Sequence, residues 1–264
     1  MDTGLSLHRP DARLTDLISH YWLSGDSAGG EHLVLPDGCV DLVLRLDRTA
    51  TFQVFGTRTR PCPVPVTAGA SYLGIRFRPG MSRHFQLPPG RFLTNDQWVV
   101  SRPADLNPDA LATRLSGPGL TDHLNQCLLR WLGRHPPVRQ RLDIALRVAA
   151  RVGHSISLPA WADQANLSPR HLERLFREHV GLTPKTYLNI RRAQRVLALL
   201  TGDGERLTAG EAALAAGYAD QSHCTRDLRR YMGVTPSAPD LDHHDVAFVQ
   251  DISPCPGQTE SSST

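Results

Sequence analysis

Lysine, paired cysteines and long apolar runs are scarce or missing in this chain of 264 residues. Lys185 is the only lysine among 29 basic residues. The five cysteines are scattered without a C-x-x-C pair, which argues against a structural zinc site and a disulfide scaffold. No apolar run approaches about 18 residues, and the opening MDTGLSLHRP lacks the apolar core of a signal peptide. We therefore expect a cytoplasmic protein without a membrane span.

Positive charge is unevenly distributed along the chain. The formal net charge is only +3, so the chain as a whole is not a strongly basic nucleic-acid binder. Residues 136–240, however, contain 15 basic and ten acidic residues, a net charge of +5. This modest local excess fits a nucleic-acid-binding domain in which specific contacts contribute much of the recognition.

One pattern, H-x-x-R-x-x-R-x-x-x-G-x-T-P, occurs twice, at residues 171–184 and 223–236. Every identical position recurs after 52 residues, which indicates a duplicated supersecondary unit. Each copy predicts the second helix of a helix-turn-helix unit, over residues 169–179 and 221–232. Ser168 and Asp220 are suitable N-caps, and a glycine ends each helix.

Polar residues in these two helices recur on one face at the spacing i, i+3, i+4, i+7. The predicted exposed sets are Arg170, Glu173, Arg174 and Arg177 in the first helix and Ser222, Thr225, Arg226 and Arg229 in the second. Ordinary amphipathic helices with solvated charged faces are the alternative. The recurrence of one polar set in one register favours nucleic-acid binding.

The segment from residue 184 to about residue 200 predicts a single connecting helix, roughly 25 Å long. With the widths of the units that it joins, this length would place the recognition helices about 34 Å apart, one turn of DNA. The pairs Thr183-Pro184 and Thr235-Pro236 each predict the start of a further helix, whose free N–H groups could bind phosphate.

The paired units, the connecting helix and the G-x-T-P closures resemble the AraC/XylS family of bacterial transcription regulators over about residues 138–239. The resemblance implies an all-α DNA-binding domain that enters two successive major grooves. It also implies base-edge contacts from Arg170, Glu173 and Arg174 in the first recognition helix and from Gln221, Ser222, His223, Thr225 and Arg226 in the second. The second helix departs from the family pattern at Cys224 and Leu228, where aromatic residues are more usual.

The first hundred residues predict short β-strands divided by glycine and proline, with clear runs at 32–35, 40–46, 52–55 and 71–77. The segments YW at 21–22, PDGCVDLV at 36–43 and GIRFRPG at 74–80 resemble the sensor region of one AraC-type subgroup, which implies a cupin-like domain. A later apolar stripe predicts a helix that packs on this domain or forms a dimer interface. Its members are Leu120, Leu124, Cys127, Leu128 and Trp131.

The expected fold class is α+β, with an N-terminal cupin-like β-sandwich or barrel and following helices, then an all-α double helix-turn-helix domain. We assign residues 1–135 to the β domain, residues 136–240 to the DNA-binding domain and residues 241–264 to a disordered tail. The polar, Pro-, Gly- and Ser-containing composition of the last segment is the basis for that prediction.

Candidate chemistry in the β domain is sparse. Asp41, Arg76 and Arg78 are predicted to line a ligand pocket, although turn and capping roles are the commoner use of such aspartates. The histidines are dispersed without an H-x-H pair, so no metal site, catalytic residue or cofactor is predicted. A metal- or thiol-dependent enzyme or DNA-repair protein is the alternative class. It would need clustered ligands or an activated Cys-His pair.

The sequence thus predicts a sequence-specific transcription regulator whose partner is double-stranded DNA. RNA polymerase, an unidentified small-molecule effector and a second copy of the chain are further candidate partners. No membrane partner is expected.

Overall fold

The computed structural model describes residues 5–25, 29–46, 50–101, 103–114, 117, 119–138, 140–152, 156–202 and 207–239. The predicted disordered tail at 241–264 lies outside the described residues. Strands predominate before residue 101 and helices after it, which confirms the α+β class. None of the described helices is both long and apolar enough to cross a membrane.

A six-stranded antiparallel sheet and a two-stranded ribbon form the N-terminal half. The strands are β1 (Leu5–His8), β2 (Ile18–Ser24), β3 (Gly30–Val34), β4 (Val40–Leu46), β5 (Ala50–Phe55), β6 (Cys62–Val66), β7 (Ser71–Phe77) and β8 (Gln97–Val100). The large sheet has the order β1-β2-β7-β4-β5-β8, and β3 pairs with β6.

The predicted strands at 40–46, 52–55 and 71–77 are confirmed, and the run at 32–35 overlaps β3. Strand β6 was missed because Pro63 and Pro65 lie within it. Proline cannot donate to a ladder and is therefore confined to edges, which a two-stranded ribbon provides.

Alternation along the central strands places one face of the large sheet in a core. Leu42 and Leu44 of β4 and Leu73 and Ile75 of β7 are buried there. Helices α1 (Gly90–Leu93), α2 (Pro108–Ala112) and α3 (Leu120–Arg134) follow. Three turns of α3 cover this core, and the Trp131 indole donates to the carbonyl oxygen of His84 at 2.8 Å. The predicted packing of the apolar stripe on its own β domain is confirmed.

Six α-helices lie in the described part of the C-terminal half. They are α4 (Arg141–Val152), α5 (Leu158–Gln164), α6 (Pro169–Leu175), α7 (Pro184–Thr201), α8 (Ala209–Ala215) and α9 (Gln221–Met232). The rings of Trp161, Phe176 and Tyr187 meet at its centre, with centroids 5.0–6.4 Å apart. The Trp161 indole donates to the carbonyl oxygen of Ala145 at 2.7 Å, which fixes α5 against α4.

Two helix predictions need correction. The helix predicted over 169–179 is α-helical only to Leu175, and a turn of π-helix from Phe176 to Val180 continues it. The wider turn lets Gly181 N bond the carbonyl oxygen of Phe176 at 3.0 Å before the chain leaves the helix. Thr235-Pro236 starts no helix, because residues 235–238 fold into a turn closed by an Ala238 N–H bond to Thr235 O at 3.0 Å.

The two halves meet along a packed junction at the end of the first unit. Thr57 Oγ1 donates to the carbonyl oxygen of Val180 at 3.1 Å, and Thr94 Oγ1 donates to that of Gly181 at 2.7 Å. At Gly90 a Cβ atom would lie 2.5 Å from the carbonyl oxygen of His179. The β-domain backbone therefore touches the backbone of the unit directly.

A second set of junction contacts reaches the helical core. Leu35, from the loop after β3, is buried in the core of the C-terminal half. Beside it the Gln194 amide of α7 donates to the carbonyl oxygen of Pro36 at 3.0 Å. Arg83 forms an ion pair with Asp143 of α4 in which both side chains are largely buried.

Candidate nucleic-acid interface

The first helix-turn-helix unit consists of α5, a tight turn and α6. Asn166 occupies the left-handed region (φ 53°) at the turn, and Leu167 N bonds the carbonyl oxygen of Ala162 at 2.9 Å. Asparagine tolerates this conformation better than most side chains. Ser168 then caps α6, with its Oγ accepting from His171 N at 3.2 Å. The predicted cap is confirmed.

The second unit repeats this construction with one additional residue in the turn. Gly217 (φ 82°) takes the left-handed position, and Tyr218 N bonds the carbonyl oxygen of Ala213 at 3.0 Å. One residue separates Asn166 from the N-cap Ser168, whereas two residues separate Gly217 from the N-cap Asp220. The recognition helices therefore keep their 52-residue register although their turns do not.

Most of the predicted contact residues lie on the exposed faces of α6, the following π turn and α9. The exposed members are Arg170, Arg174, Arg177, Gln221, Ser222, Arg226 and Arg229, whereas Glu173, His223 and Thr225 are half-buried. Their buried counterparts, such as Leu172 and Leu228, hold the helices on the core. Both polar sets are thus displayed on helices with fixed inner faces.

Three of these side chains already have partners within their own helix. Arg174 Nη2 lies 2.9 Å from His171 Nε2. The Thr225 hydroxyl donates to the carbonyl oxygen of Gln221 at 2.9 Å. His223 lies 3.5 Å from the Asp227 carboxylate, one turn along α9.

A buried polar cluster that sequence reasoning missed anchors the second recognition helix. The Tyr218 hydroxyl donates to the buried Asp227 carboxylate at 3.1 Å, and burial raises the pKa of that phenol. The Arg192 guanidinium of α7 lies 4.8 Å from the Tyr218 ring centroid. This cluster ties the turn, α9 and the connecting helix together. Its only sequence signal was an aspartate on the apolar side of a helix.

The connecting helix α7 is confirmed as one element of 18 residues. Thr183 caps it, with Oγ1 accepting from Thr186 N at 3.1 Å. At about 1.5 Å per residue, its length is roughly 27 Å. The proposed separation of about 34 Å between the recognition helices stays a prediction.

In the β domain the structure brings Asp41 and Arg76 together but leaves Arg78 apart. The Arg76 guanidinium donates to Asp41 at 2.8 Å and also pairs with Asp37, in a largely buried cluster. The Trp22 indole donates to Asp41 at 3.2 Å and lies over Gly74, where a Cβ atom would clash at 1.9 Å. Arg78 Nε instead donates to the carbonyl oxygen of Thr15 at 2.6 Å.

Metal-ligand candidates are dispersed as well. Among the residues that the structure describes, no group of three or more His, Cys, Asp or Glu side chains could hold a metal ion. Cys39 lies beside a carboxylate, because its backbone N–H donates to Asp37 at 2.7 Å. A nearby carboxylate disfavours a thiolate.

Two family models match separate parts of the chain. Residues 161–239 match the model described as a helix-turn-helix domain. Residues 6–98 match the model described as "Domain of unknown function (DUF6597)". The transcriptional activator RhaS of Escherichia fergusonii is 31% identical over 122 residues, which are 46% of this chain and 37% of that protein. The XylDLEGF operon transcriptional activator of Pseudomonas putida is 33% identical over 84 residues, 31% of this chain and 26% of that protein.

Residues 161–239 form a helix-turn-helix domain of the AraC/XylS type. The chain is also similar to the bifunctional transcriptional activator and DNA repair enzyme Ada of Escherichia coli, at 39% identity over 80 residues, which are 30% of this chain and 22% of Ada. The chain therefore spans only 22–37% of the length of these three relatives.

Two solved structures are similar to this chain. One is a regulator with an AraC-type DNA-binding domain from Chromobacterium violaceum, at 23% identity and a TM-score of 0.32, covering 44% of this chain and 95% of that one. The other is ToxT from Vibrio cholerae, at 7% identity and a TM-score of 0.45, covering 94% and 98%. Both TM-scores are below 0.5, so the AraC/XylS assignment rests on the sequence matches.

Proposed function

We propose that this protein is a sequence-specific, DNA-binding transcription regulator. In this proposal residues 136–240 bind DNA and residues 1–135 sense a ligand or mediate dimerisation. The observation that carries it is the display of matching polar sets, at one register, on the exposed faces of two tandem recognition helices. A single exposed polar helix face is common in proteins. Two such faces joined by one connecting helix could enter two successive major grooves.

Base readout is assigned to the outward side chains of α6 and α9. Arg174 and Arg226 are the proposed guanine readers, because a guanidinium can bond O6 and N7 together. Gln221 is the proposed adenine reader. The other proposed base-edge contacts are Arg170, Glu173, Ser222, His223 and Thr225. Arg177 and Arg229 complete the proposed DNA-binding set.

Positioning on the phosphates is assigned to arginines and to the N-terminus of α7, whose first N–H groups lack intrahelical partners. The β domain contacts the end of the first unit at Val180 and Gly181. We propose that a change in the β domain reaches DNA binding through this junction. Asp41, Arg76 and Arg78 remain the candidate ligand residues, with the first two requiring their ion pair to open.

The proposed partners are double-stranded DNA, RNA polymerase, a second copy of the chain and a small-molecule effector of unassigned class. Because the proposed target is chromosomal DNA, we place the protein in the cytoplasm. The alternative, a metal- or thiol-dependent enzyme, has no specific observation in its favour among the described residues.

Alanine variants of the two proposed guanine readers test this function. We expect Arg226→Ala and Arg174→Ala each to cost about 1–3 kcal/mol on the selected site and to relax one base position. Arg130→Ala, an exposed arginine on α3, is the matched control and should leave binding unchanged. Equal weakening on all DNA sequences would show a phosphate contact instead. Unchanged binding in both variants would contradict the proposal.

A further inference from the structure

A pocket of about 230 Å³ lies in the loop between β5 and β6. Its lining residues are Arg58, Arg60, Pro61, Cys62, Pro63 and Asn95. Two arginines and no carboxylate are among its described lining residues, which therefore carry a net positive charge. The predicted base-contacting residues of α6 and α9 and the Asp37–Arg76–Asp41 cluster are not among these described lining residues.

Arg58 is the buried charged residue of this pocket. Its relative exposure is only 6%, and its Nε atom has no hydrogen-bond partner in the part of the chain that the structure describes. Among the described residues, no ion pair within 4.0 Å engages its guanidinium. Burying a charge without a partner is costly, so such a group is expected to have an anionic partner.

The charge of Arg58 acts on Asp96, but both carboxylate oxygens of Asp96 accept hydrogen bonds from other groups. Its Oδ2 accepts from the Trp98 indole at 3.0 Å, and its Oδ1 accepts from Gln97 N at 2.8 Å. These bonds chiefly lower the pKa of Asp96, and the charge of Arg58 adds a smaller effect. Within the described ranges, the Arg58 guanidinium therefore has no contacting carboxylate.

The end of the second helix-turn-helix unit lies at the rim of the pocket. A Cβ atom at Gly233, the residue that ends α9, would lie 3.3 Å from Pro61. The chain then turns at residues 235–238 and reaches Pro239. Residue 240 follows Gly233 by only seven positions in the sequence.

The segment that follows has the complementary charge. Residues 240–264 contain five carboxylates and no lysine or arginine, and three of these carboxylates fall at Asp240, Asp242 and Asp245. An extended chain advances about 3.3–3.6 Å per residue, so all three can reach a pocket whose rim touches Gly233.

We propose that the acidic segment 240–245 docks in the Arg58–Arg60 pocket and places an aspartate carboxylate on the Arg58 guanidinium. The docked segment joins the β domain to the end of the second unit. It thereby supplies a contact between the halves beyond those at the first unit. A free carboxylate and a DNA phosphate are the other possible occupants, and the experiment separates them.

Cys62 provides the readout, because its half-buried thiol lines the pocket. The full chain is treated with iodoacetamide, and peptide mass spectrometry follows the alkylation rate of each cysteine from neutral to alkaline pH. The limiting rate at high pH reports access to the thiolate, whereas the midpoint reports its ionisation. Cys127 on α3 is the internal reference.

Neutralising the docking carboxylates should expose Cys62. We expect the triple variant D240N/D242N/D245N to raise the limiting rate at Cys62 several-fold and to leave Cys127 unchanged. Arg60→Gln, at an exposed position, should have the same effect on Cys62. The matched control D251N/E260Q removes two more distant carboxylates and should behave like the wild type.

Two results would overturn the docking. One is an equal limiting rate at Cys62 in the wild type and the triple Asn variant. The other is that added acetate or duplex DNA slows the alkylation of Cys62 as strongly in the wild type as in the triple Asn variant. Such protection would show that the pocket is unoccupied in the wild type and binds another anion. Neither readout depends on sequence-specific DNA binding, so the docking can fail while the proposed function stands.

Discussion

Gly90→Ala should uncouple the β domain from the first helix-turn-helix unit. Its added Cβ would lie 2.5 Å from His179 O and 2.7 Å from Gly181 N. Both contacts are to backbone atoms, so no side chain can rotate away, and the junction must shift. Overpacking of this kind typically costs about 1–3 kcal/mol. We expect a loss of that size in the free energy of unfolding.

Urea denaturation of the full chain, followed by far-ultraviolet circular dichroism and tryptophan fluorescence, measures this loss. If the junction couples the halves, the variant should also show separated transitions for its sheet and its helices. Gly133→Ala is the matched control, because Gly133 lies exposed in α3 with nothing within 4 Å of its added Cβ. Alanine there should be neutral or stabilising by up to about 1 kcal/mol. A Gly90→Ala protein as stable and as cooperative as the wild type would refute the direct backbone contact.

Two further predictions concern buried polar groups. Tyr218→Phe removes the hydroxyl that bonds Asp227 and leaves a buried carboxylate short of a donor. It should cost about 1–3 kcal/mol in thermal or urea unfolding, and a neutral result would show that Asp227 does not need this donor. Acid should weaken the junction through His84 and His179. Burial, followed by the charge of Arg83, lowers the pKa of both histidines, that of His84 to about 4. The charge of Asp143 raises the pKa of both histidines, and Glu178 also raises that of His179. His179 lowers the pKa of His84, and Arg174 lowers that of His179. The unfolded chain then binds more protons than the folded one below pH 6.5, so stability should fall as the pH drops from 6.5 towards 4. His84→Gln and His179→Gln together should flatten that slope, and an unchanged slope would contradict the assignment.

The helix-turn-helix units were predictable because their signals are local. Caps such as Ser168 and closing glycines such as Gly181 act within one turn of the residues that they control. A pattern that recurs after 52 residues then made the assignment specific. Thr235-Pro236 carried the same local signal but starts no helix, so the same pair acts as a cap only where a helix-forming sequence follows.

The junction and the polar clusters were not predictable from spacing. Thr57 and Val180 are 123 residues apart, and nothing near either residue marks the other as its partner. Asp41 was predicted as a ligand-pocket residue near a turn. Its ion pair with Arg76 results from the pairing of β4 with β7, which places the two residues opposite each other. The alternating pattern predicted the strands, but only their order in the sheet brings these charges together.

The most direct test of the central claim is selection of bound sequences from a random DNA pool by the full chain. If both recognition helices read bases, the enriched motif should contain two blocks about 10 base pairs apart. Arg174→Ala should relax one block and Arg226→Ala the other. A single block that is insensitive to one of the two variants would contradict reading by two helices. Binding without enrichment, lost uniformly as salt rises, would contradict sequence-specific regulation altogether.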